Sequence, residues 1–380
     1  MNKIGVLVLN NLVNDSRVLK EVNSLSKKHQ VDVFCFRSQG QPSLEENGNS
    51  KVYRTIKYNR EYSGPFRKIY QAFIYLKYFF YVIYKLNRYN VVHCNDLETL
   101  PHGVIAKIFN RKLKVVYDAH EYETETLWMQ NKLKKYLAKK IEGFLIKFSD
   151  LNITVSASIA SEYSKNYKID LPKVVLNAPN YSKIDKHQLF RKKYNLNNSD
   201  KIFLYQGGLT NGRGIEIMVD AFLSIDMTDM VLVIMGSGPL KEFVSDKIKD
   251  SKRIFLHESV PSNVLLNYTS SADFGILFYE NNCLNHYFCS PNKLFEYIMA
   301  EVPVLVSNLF EVKNLVNNLN IGVVSEKNSI DGMRHSIIKI LREEAGCYLE
   351  NLIDAKNKFI WEAQEKVLLS SYNNILNGKI

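Results

Sequence analysis

The chain has 380 residues, 46% of them hydrophobic, and carries a formal net charge of +11 at pH 7. That length and composition are enough for two domains of ordinary size and exclude a chain that is disordered throughout. The positive excess favours an anionic partner, which can be a nucleic acid, a phosphorylated small molecule or an anionic membrane surface.

Two features bear on the cellular compartment. The five cysteines form no C-x-x-C pair and no Cys/His zinc spacing, a usage typical of a reducing cytosol. The opening apolar run, IGVLVL, is too short for the core of a signal peptide, so we expect it to be the first strand. Both features predict a cytoplasmic protein.

Short β-branched runs alternate with amphipathic segments of helical length along almost the whole chain. The predicted strands, in chain order, are KIGVLVLN, VDVFCF, NVVHCN, KVVYDAH, LNITVS, KVVLNAP, KIFLYQG, VLVIMGSG, RIFLHES, FGILFY, VPVLVS and IGVVS. Continuous apolar runs of this length are typical of strands buried on both faces. The alternation predicts an α/β fold with two Rossmann-like, doubly wound parallel-sheet domains facing a central cleft.

A polar, charged stretch around residues 180–200 interrupts this pattern, and we place the domain boundary there. We therefore expect one domain over 1–180 and a second over 181–360. The last segment, 361–380, has the pattern of an amphipathic helix that packs back across the domain junction.

Residues 66–88, FRKIYQAFIYLKYFFYVIYKLNR, form one long predicted helix, whose internal lysines argue against a membrane span. On a helical wheel the sheet-covering half consists of Ile69, Ala72, Leu76, Phe79, Phe80, Ile83 and Leu86. The opposite half contains Arg67, Lys68, Gln71, Lys77, Lys85 and Arg88. This basic half suits the headgroups of an anionic membrane surface.

Polar residues gather where predicted strands end, which is where open parallel sheets bind ligands. In the first half of the chain they are His93, Asn95, Asp96, Asp118, His120 and Glu121. A histidine in such a position can donate a hydrogen bond to a reacting sugar or phosphate, although a lone histidine is usually structural.

In the second half, YQGGLTNGRGIE joins a strand to a helix. Gly207 and Gly208 allow a tight turn and Arg213 stands near the helix start, a combination that predicts an anion site. The alternative is a glycine turn with a solvated arginine. MGSG, which contains Gly236, is a second such turn, and ligand approach and plain turn chemistry explain it equally well.

SPNKLFEY begins another predicted helix, with Ser290 as N-cap and Pro291 at the first helical position. Lys293 then lies in the first turn, where the helix dipole disfavours a cation unless an anion binds there. Glu296 lies on the same face and can accept hydrogen bonds from ribose hydroxyls. With Arg213 these residues predict a nucleoside diphosphate site. The alternative is a surface Lys/Glu pair worth about 0.2–0.5 kcal/mol.

Several motifs are missing from the sequence. It has no D-x-D carboxylate pair, no zinc spacing, no P-loop and no recognised nucleic-acid module. We therefore expect no metal, no cofactor and no nucleic-acid partner.

Taken in order, YQGGLTNGRGIEIMVDAF, VLVIMGSGP, HESVPSNVLLNYTSSADFGILFY and SPNKLFEYIMAEVPVLVS resemble the C-terminal half of family 4 retaining glycosyltransferases of the GT-B fold. NDSRVLKEVNSLSKKHQVDVF, VVHCNDLETLP, VVYDAHE and IWEAQEKVLLSSYNNIL also resemble that family. The resemblance implies a metal-independent hexosyltransferase that uses a UDP- or GDP-sugar and retains the anomeric configuration. The first domain would bind the acceptor, a glycan or polyprenyl-linked glycan of cell-surface polysaccharide synthesis, on the inner face of the membrane. The second domain would bind the nucleotide-sugar donor.

The resemblance also implies roles for individual residues. The catalytic residues would be His120, Arg213 and Lys293. The donor would contact Gly207, Gly208, Gly236, Val260, Phe288, Cys289, Ser290 and Glu296. The acceptor side would contain Asn11, Arg17, Asp96 and Glu121.

Two positions depart from the family pattern. Phe288 stands where the first glutamate of the E-x7-E motif is expected, and Glu296 is the second. We expect the backbone N–H groups of Phe288–Ser290 to replace the missing carboxylate. Gly208 stands in place of the usual arginine, which leaves Arg213 to neutralise more of the phosphate charge.

Two other functions fit the sequence. A nucleotide-sugar 2-epimerase of the same architecture would need a base beside the sugar carbon and no acceptor. A non-catalytic homologue that binds lipid or glycan would be consistent with Phe288.

Overall fold

The computed structural model describes residues 1–13, 15–58, 64–226, 228–343 and 345–378. Its contacts divide the chain into two compact units, Met1–Val175 with Glu365–Ile380, and Leu176–Gln364. The division after Val175 lies a few residues before the boundary expected from the sequence. The end of the chain, from Glu365 on, belongs to the first unit.

The first unit contains an eight-stranded sheet of order β3-β4-β2-β1-β5-β6-β7-β8. Its elements are β1 (Lys3–Leu7), α1 (Ser16–Ser26), β2 (Gln30–Arg37), β3 (Leu44–Asn47), β4 (Ser50–Lys57), α2 (Arg67–Leu86), β5 (Val91–Asn95), α3 (Leu100–Phe109), β6 (Lys114–Ala119), α4 (Lys132–Leu145), β7 (Leu151–Thr154), α5 (Ala157–Tyr167) and β8 (Lys173–Val174). All neighbouring strands are parallel except β3, which pairs antiparallel with β4.

The second unit contains a six-stranded, fully parallel sheet of order β11-β10-β9-β12-β13-β14. Its elements are α6 (Leu189–Tyr194), β9 (Lys201–Gln206), α7 (Ile215–Leu223), β10 (Met230–Met235), α8 (Lys241–Ile248), β11 (Ile254–His257), α9 (Ser262–Thr269), β12 (Phe274–Leu277), α10 (Leu284–Phe288), α11 (Asn292–Met299), β13 (Val304–Val306), α12 (Phe310–Leu319), β14 (Gly322–Val324), α13 (Ile330–Arg342) and α14 (Leu349–Lys358). Every residue of β10 is buried, as expected for a central strand covered by helices on both faces.

The last helix, α15 (Trp361–Leu376), begins in the second unit and continues into the first. Within the first unit Glu365 forms an ion pair with Lys27 of α1 at 2.6 Å. The Tyr372 hydroxyl lies 2.6 Å from Nδ1 of His93 at the end of β5.

The prediction of two parallel-sheet α/β domains is confirmed, and each predicted strand segment contains a strand. The sequence analysis did not find the β3–β4 hairpin. Asn47 pairs with Ser50 across a two-residue turn in which Gly48 has φ +56°. A left-handed residue at this point of a two-residue hairpin favours glycine.

The orientation predicted for helix α2 is wrong except at Leu86. The residues of α2 that are buried are Ile74, Tyr78, Val82 and Leu86, which recur every fourth residue and face the sheet. Ile69, Leu76 and Phe80, which were assigned to the sheet-covering half, are exposed. Both stripes are apolar, so the wheel alone did not show which of them the sheet would cover.

No helix among the described residues combines the length and the apolar character needed to cross a membrane.

Candidate functional site

Helix α11 carries the two residues that the sequence singled out most strongly, Lys293 and Glu296. The helix begins at Asn292, one residue later than predicted, and Pro291 occupies the capping position without a side-chain cap. The prediction that Ser290 is the N-cap is therefore wrong. The Ser290 hydroxyl is buried and has no hydrogen-bond partner among the described residues.

Tyr297 fixes helix α11 against the sheet. Its ring fills the space beside Gly275 of β12, where an added Cβ would lie 2.6 Å from the Tyr297 ring. Its hydroxyl donates a hydrogen bond of 2.8 Å to the carbonyl of Leu204 in β9. A fully buried tyrosine whose hydroxyl is paired holds both the position and the rotation of the helix. Lys293 and Glu296 are consequently held at the carboxyl end of β9.

Lys293 is the most unusual residue of the second unit. Its side chain is buried, and its Nζ has no hydrogen-bond partner among the described residues. The Nζ lies 4.0 Å from the ring centroid of Tyr205 and 5.5 Å from that of Tyr279. Burial, with a further contribution from Arg213, lowers the pKa of Lys293 well below its usual value. The carboxylate of Glu296 acts in the opposite direction, and the aromatic faces stabilise a cation only in part.

Arg213 approaches the same place from the loop before α7. Its guanidinium carbon lies 4.5 Å from the ring centroid of Tyr279, and its Nη1 donates a hydrogen bond to the Tyr279 hydroxyl. The following residue, Gly214, has φ +64°, and an added Cβ there would lie 2.2 Å from the carbonyl oxygen of Phe278. Glycine is therefore required at this turn, and it brings the arginine against the end of β12.

Glu296 is oriented by a chain of side-chain hydrogen bonds. Nε2 of Gln206, the last residue of β9, donates to Oε2 of Glu296 at 2.5 Å. Oε1 of Gln206 accepts a hydrogen bond of 2.8 Å from the Thr269 hydroxyl. A charge-assisted hydrogen bond of this kind fixes the position of the carboxylate. The sequence analysis did not identify Gln206, because its partner lies 90 residues away in the chain.

The predicted glycine turns meet each other. An added Cβ at Gly236 would lie 1.9 Å from the carbonyl oxygen of Gly207, so the backbones touch. Gly207 has φ +124°, and a Cβ there would lie 3.2 Å from Nζ of Lys293. Gly208 is exposed and meets nothing closer than 3.9 Å. The absence of side chains at Gly207 and Gly236 therefore lets the two turns touch and leaves room for the Lys293 ammonium group beside Gly207.

The remaining predicted donor contacts are less closely connected to Lys293. Phe288 ends α10, and its ring packs against Tyr287 and Phe310 at centroid distances of 4.9 and 5.9 Å. Cys289 is half-buried, and its thiol donates to the carbonyl of His286 at 3.2 Å. Val260 is half-buried against the core of the second unit.

In the first unit, His120 follows β6 and is surrounded by polar groups. Its Nε2 lies 3.0 Å from Oδ1 of Asn95, and its backbone N–H donates to Oδ1 of Asp96 at 3.3 Å. Against the effect of burial, the carboxylates of Asp96 and Asp118 raise the pKa of His120 to about 9. The imidazole is therefore a cation at neutral pH, with a side chain that is 16% exposed. Asp96 itself has φ +63°.

Arg17 lies inside the first unit and not at an accessible edge. Its Nη2 is 2.8 Å from Oδ1 of Asp118, its Nε is 3.1 Å from Oε1 of Glu21, and its Nη1 donates to the Val175 carbonyl at 2.6 Å. These contacts engage Nε, Nη1 and Nη2 of a side chain that is 3% exposed. The predicted contact of Arg17 with the acceptor stays a prediction.

Arg17 also bears on the expectation that no metal is required. Among the described residues, one group has ligand atoms close enough to hold a metal ion: Glu21, Asp118 and His120, with atoms within 4.8 Å of one another. The guanidinium of Arg17 already contacts both carboxylates, so these ligand atoms have a cationic partner within the chain. Burial and Asp118 raise the pKa of Glu21 well above its usual value. The expectation that no metal is required stays a prediction.

The other predicted acceptor-side residues lie further from His120 in the chain or at the surface. Asn11 is in the loop after β1, where its Nδ2 donates to the Ser38 hydroxyl at 3.0 Å. Glu121 is exposed. Both residues lie in loops that follow strands, and their acceptor-side role stays a prediction.

Comparison with known proteins identifies two family models that the chain matches. The model for Glycosyltransferase Family 4 matches residues 17–178, and the model for Glycosyl transferases group 1 matches residues 186–359. These matches indicate a glycosyltransferase of the GT4 and GT-B type. The glycosyltransferase prediction is confirmed at this level.

Two relatives share about a quarter of their aligned residues with this glycosyltransferase. It is 26% identical over 296 residues to the capsular polysaccharide biosynthesis glycosyltransferase CapM of Staphylococcus aureus, covering 72% of this chain and 74% of that protein. It is 24% identical over 249 residues to the chitobiosyldiphosphodolichol beta-mannosyltransferase of Candida albicans, covering 58% of this chain and 53% of that protein.

The structural likenesses show the fold. Sucrose-phosphate synthase from Thermosynechococcus elongatus superposes with a TM-score of 0.80 at 16% identity, covering 100% of both chains. Anabaena HepE in complex with UDP superposes with a TM-score of 0.72 at 12% identity, covering 98% of this chain and 100% of that one.

Proposed function

We propose that this glycosyltransferase transfers a hexosyl group from a UDP- or GDP-sugar, with retention of anomeric configuration and without a metal. The acceptor in this proposal is a glycan or a polyprenyl-linked glycan used in cell-surface polysaccharide synthesis. The relatives support the proposal by their names, which include capsular polysaccharide biosynthesis and a diphosphodolichol substrate. The complex of HepE with UDP supports a uridine nucleotide.

The observation that carries the proposal is the buried, unpaired Lys293 beside Arg213. Among the described residues neither Lys293 nor Arg213 forms an ion pair with a carboxylate, and both contact tyrosine rings. A diphosphate would supply the missing negative charge and acceptor oxygens. Glu296, held by Gln206, would accept hydrogen bonds from the ribose hydroxyls.

The proposed mechanism uses these groups as the glycosidic bond breaks. Negative charge then develops on the leaving diphosphate, and Lys293 and Arg213 stabilise it more strongly than they stabilise the bound donor. The leaving phosphate accepts the proton of the acceptor hydroxyl on the same face of the sugar. The family resemblance assigns His120 to the transferred sugar, and its charged imidazole can donate a hydrogen bond to a hydroxyl.

The site that replaces the missing first glutamate is also part of the proposal. Phe288 packs with Tyr287 and Phe310, so its side chain does not supply a polar contact. The buried hydroxyl of Ser290, which has no partner among the described residues, is a better candidate than backbone groups alone. We propose that Ser290 contributes to holding the hydroxyls of the donor sugar.

The proposed acceptor also implies where in the cell the protein acts. We propose that the protein works at the inner face of the cell membrane, with residues 66–88 in contact with anionic lipid. The exposure of Arg67, Lys68 and Lys77 on α2 supports this contact.

Turnover measurements with two variants and a matched control test the proposal. Arg213→Ala and Lys293→Ala should each lower kcat/KM by about a hundredfold or more, as expected for the loss of a cation that stabilises a developing charge. Lys241→Ala is the control, because Lys241 also lies in a first helical turn but pairs with Glu258 at 2.8 Å. The control should keep near-normal rates. Near-normal rates in all three variants would remove the proposal.

The same assay separates the alternative functions. Incubation with nucleotide-sugar alone should give only slow hydrolysis, whereas rapid formation of an epimer would indicate an epimerase. No turnover with any lipid-linked acceptor, together with no thermal stabilisation by UDP or GDP, would indicate a non-catalytic homologue.

A further inference from the structure

Three helices of the first unit cover the same face of its sheet. The connections β4–α2–β5, β5–α3–β6 and β6–α4–β7 all advance in one direction along the strand order. Right-handed crossovers therefore place α2, α3 and α4 on one face. Their contacts agree, because Nδ2 of Asn110 after α3 donates to the carbonyl of Asn87 after α2 at 3.3 Å, and Nζ of Lys107 donates to the Phe148 carbonyl after α4 at 3.0 Å.

The outer side of α2 is an apolar stripe in contact with solvent. Ile69, Phe73, Leu76, Phe80 and Tyr84 recur at intervals of three and four residues and are each between 52% and 76% exposed. The sheet is already covered by the opposite stripe of the same helix. A helix with two apolar stripes needs a second apolar environment for the outer one.

Helix α4 repeats this arrangement. Leu133, Leu137, Ile141 and Phe144 follow helical spacing and are each between 50% and 68% exposed. Between the two helices, the last residues of α3, Ile108 and Phe109, are also exposed. We call this set on α2, α3 and α4 the apolar face.

The charges around the apolar face have one sign. Segments 66–88, 100–114 and 131–148 contain fifteen of the fifty Lys and Arg residues and a single acidic residue, Glu142. Glu142 is buried and accepts hydrogen bonds from three tyrosine hydroxyls, so it adds no surface charge. Lys107, Lys114, Lys135 and Lys139 pair with Asp150 or Glu125. The other basic side chains of these segments form no ion pair with a described residue and remain available to an anionic surface.

We propose that the apolar face inserts into the acyl boundary of an anionic phospholipid leaflet, with α2 and α4 lying in the plane of the membrane surface. Apolar residues next to unpaired lysines and arginines are the pattern of helices that bind this interface. An apolar protein groove would leave the basic residues without a partner, and for this reason we favour lipid. The proposal deepens the membrane contact proposed above: it adds α4 and α3, and it replaces attraction at the headgroups alone by insertion.

Flotation with vesicles of defined composition tests the insertion. The full chain is mixed with phosphatidylcholine vesicles, with and without about 30% phosphatidylglycerol, at about 50 mM and about 500 mM salt. The protein should float with the anionic vesicles. A measurable fraction should stay bound at high salt, because apolar insertion is not screened. The assay contains no nucleotide-sugar and no acceptor, so its result does not depend on the proposed transferase activity.

Paired serine variants locate the contact. Phe73→Ser with Phe80→Ser removes two exposed residues of α2, and Leu137→Ser with Phe144→Ser removes two of α4. Each pair should lower the partition coefficient at least about tenfold, since two large apolar side chains leave the interface. The control is Leu349→Ser with Ile353→Ser on α14, where both residues are 43% exposed. Thermal melts check that all three variants fold.

The proposal is overturned by any of four results. These are no binding to anionic vesicles, binding that high salt removes completely, α2 and α4 variants that bind like the unmodified protein, or a control variant that loses binding equally. Sedimentation supplies a separate test. Self-association that the Phe73/Phe80 variant abolishes would identify a second copy of the chain as the occupant of the apolar face.

Discussion

Lys293→Met should stabilise the ligand-free protein and at the same time abolish its response to nucleotide. The methionine keeps most of the length and apolar volume of the lysine but removes the ammonium group. That group is buried, has no hydrogen-bond partner among the described residues and lies against the rings of Tyr205 and Tyr279. A buried polar group without a partner costs about 1–3 kcal/mol.

The expected gain follows from that cost. For a domain of this size about 1 kcal/mol corresponds to roughly 2–4 °C in melting temperature, so Lys293→Met should raise it by several degrees. The gain should depend on pH with a defined sign. Since burial lowers the pKa of Lys293 below its unfolded value, the unfolded chain binds more protons. The stability of the unmodified protein then rises with pH, and the advantage of the variant shrinks as the pH approaches the usual lysine value of about 10.4.

Differential scanning fluorimetry with and without UDP or GDP measures both effects. Arg17→Met is the matched control, because it also replaces a buried cation by methionine but breaks contacts with Asp118 and Glu21. Removing one partner of a buried ion pair costs about 3–5 kcal/mol, so this control should melt lower. A Lys293→Met protein that melts below the unmodified protein, or that is still stabilised by the nucleotide, would refute the assignment of Lys293 as an unpaired anion ligand.

Three further predictions concern single positions. The imidazole of His120 should titrate by NMR near pH 9, and Asp96→Asn should lower that midpoint. The contribution of the charged ring to folding stability is complete below about pH 6.5 and is lost as the pH rises through 9. Gly236→Ala should destabilise by about 1–3 kcal/mol in denaturant unfolding, because its Cβ would lie 1.9 Å from a backbone oxygen, whereas Gly208→Ala should cost less than about 0.5 kcal/mol. Gln206→Leu should weaken nucleotide binding in calorimetry by about tenfold, because it removes the donor that orients the carboxylate on α11; unchanged affinity would contradict that role.

The sequence was sufficient for the parallel strands because their signal is local. Runs such as VLVIM are buried on both faces and appear as uninterrupted apolar letters. The strand β3, LEEN, carries no such signal, since all four of its residues are exposed at the edge of the sheet. Only the glycine at the hairpin turn, Gly48, marks it.

The part of the candidate site on α11 was predictable, because spacing along a single helix determines which residues share a face. Lys293 and Glu296 lie one turn apart, so their shared face could be inferred before any contact was known. Tyr205 in β9 and Tyr279 in the loop after β12 lie against Lys293, and nothing in their local sequence relates them to α11. The orientation of α2 failed for a related reason, because the packing of the sheet chooses between two apolar stripes that the helix itself leaves equivalent.

Arg17 and Lys293, two of the buried cations among the described residues, differ sharply in their surroundings. Arg17 is surrounded by carboxylates and a carbonyl, and against the effect of burial these raise its pKa, so its charge is complete within the first unit. Lys293 is also buried, but it lies against tyrosine rings, and burial together with Arg213 lowers its pKa although Glu296 acts in the opposite direction. A chain gains no stability from keeping a lysine in such a place. The arrangement is consistent with a pocket that takes up a proton together with an anionic ligand, so calorimetry of UDP binding by the unmodified protein in buffers of different ionisation enthalpy should show proton uptake.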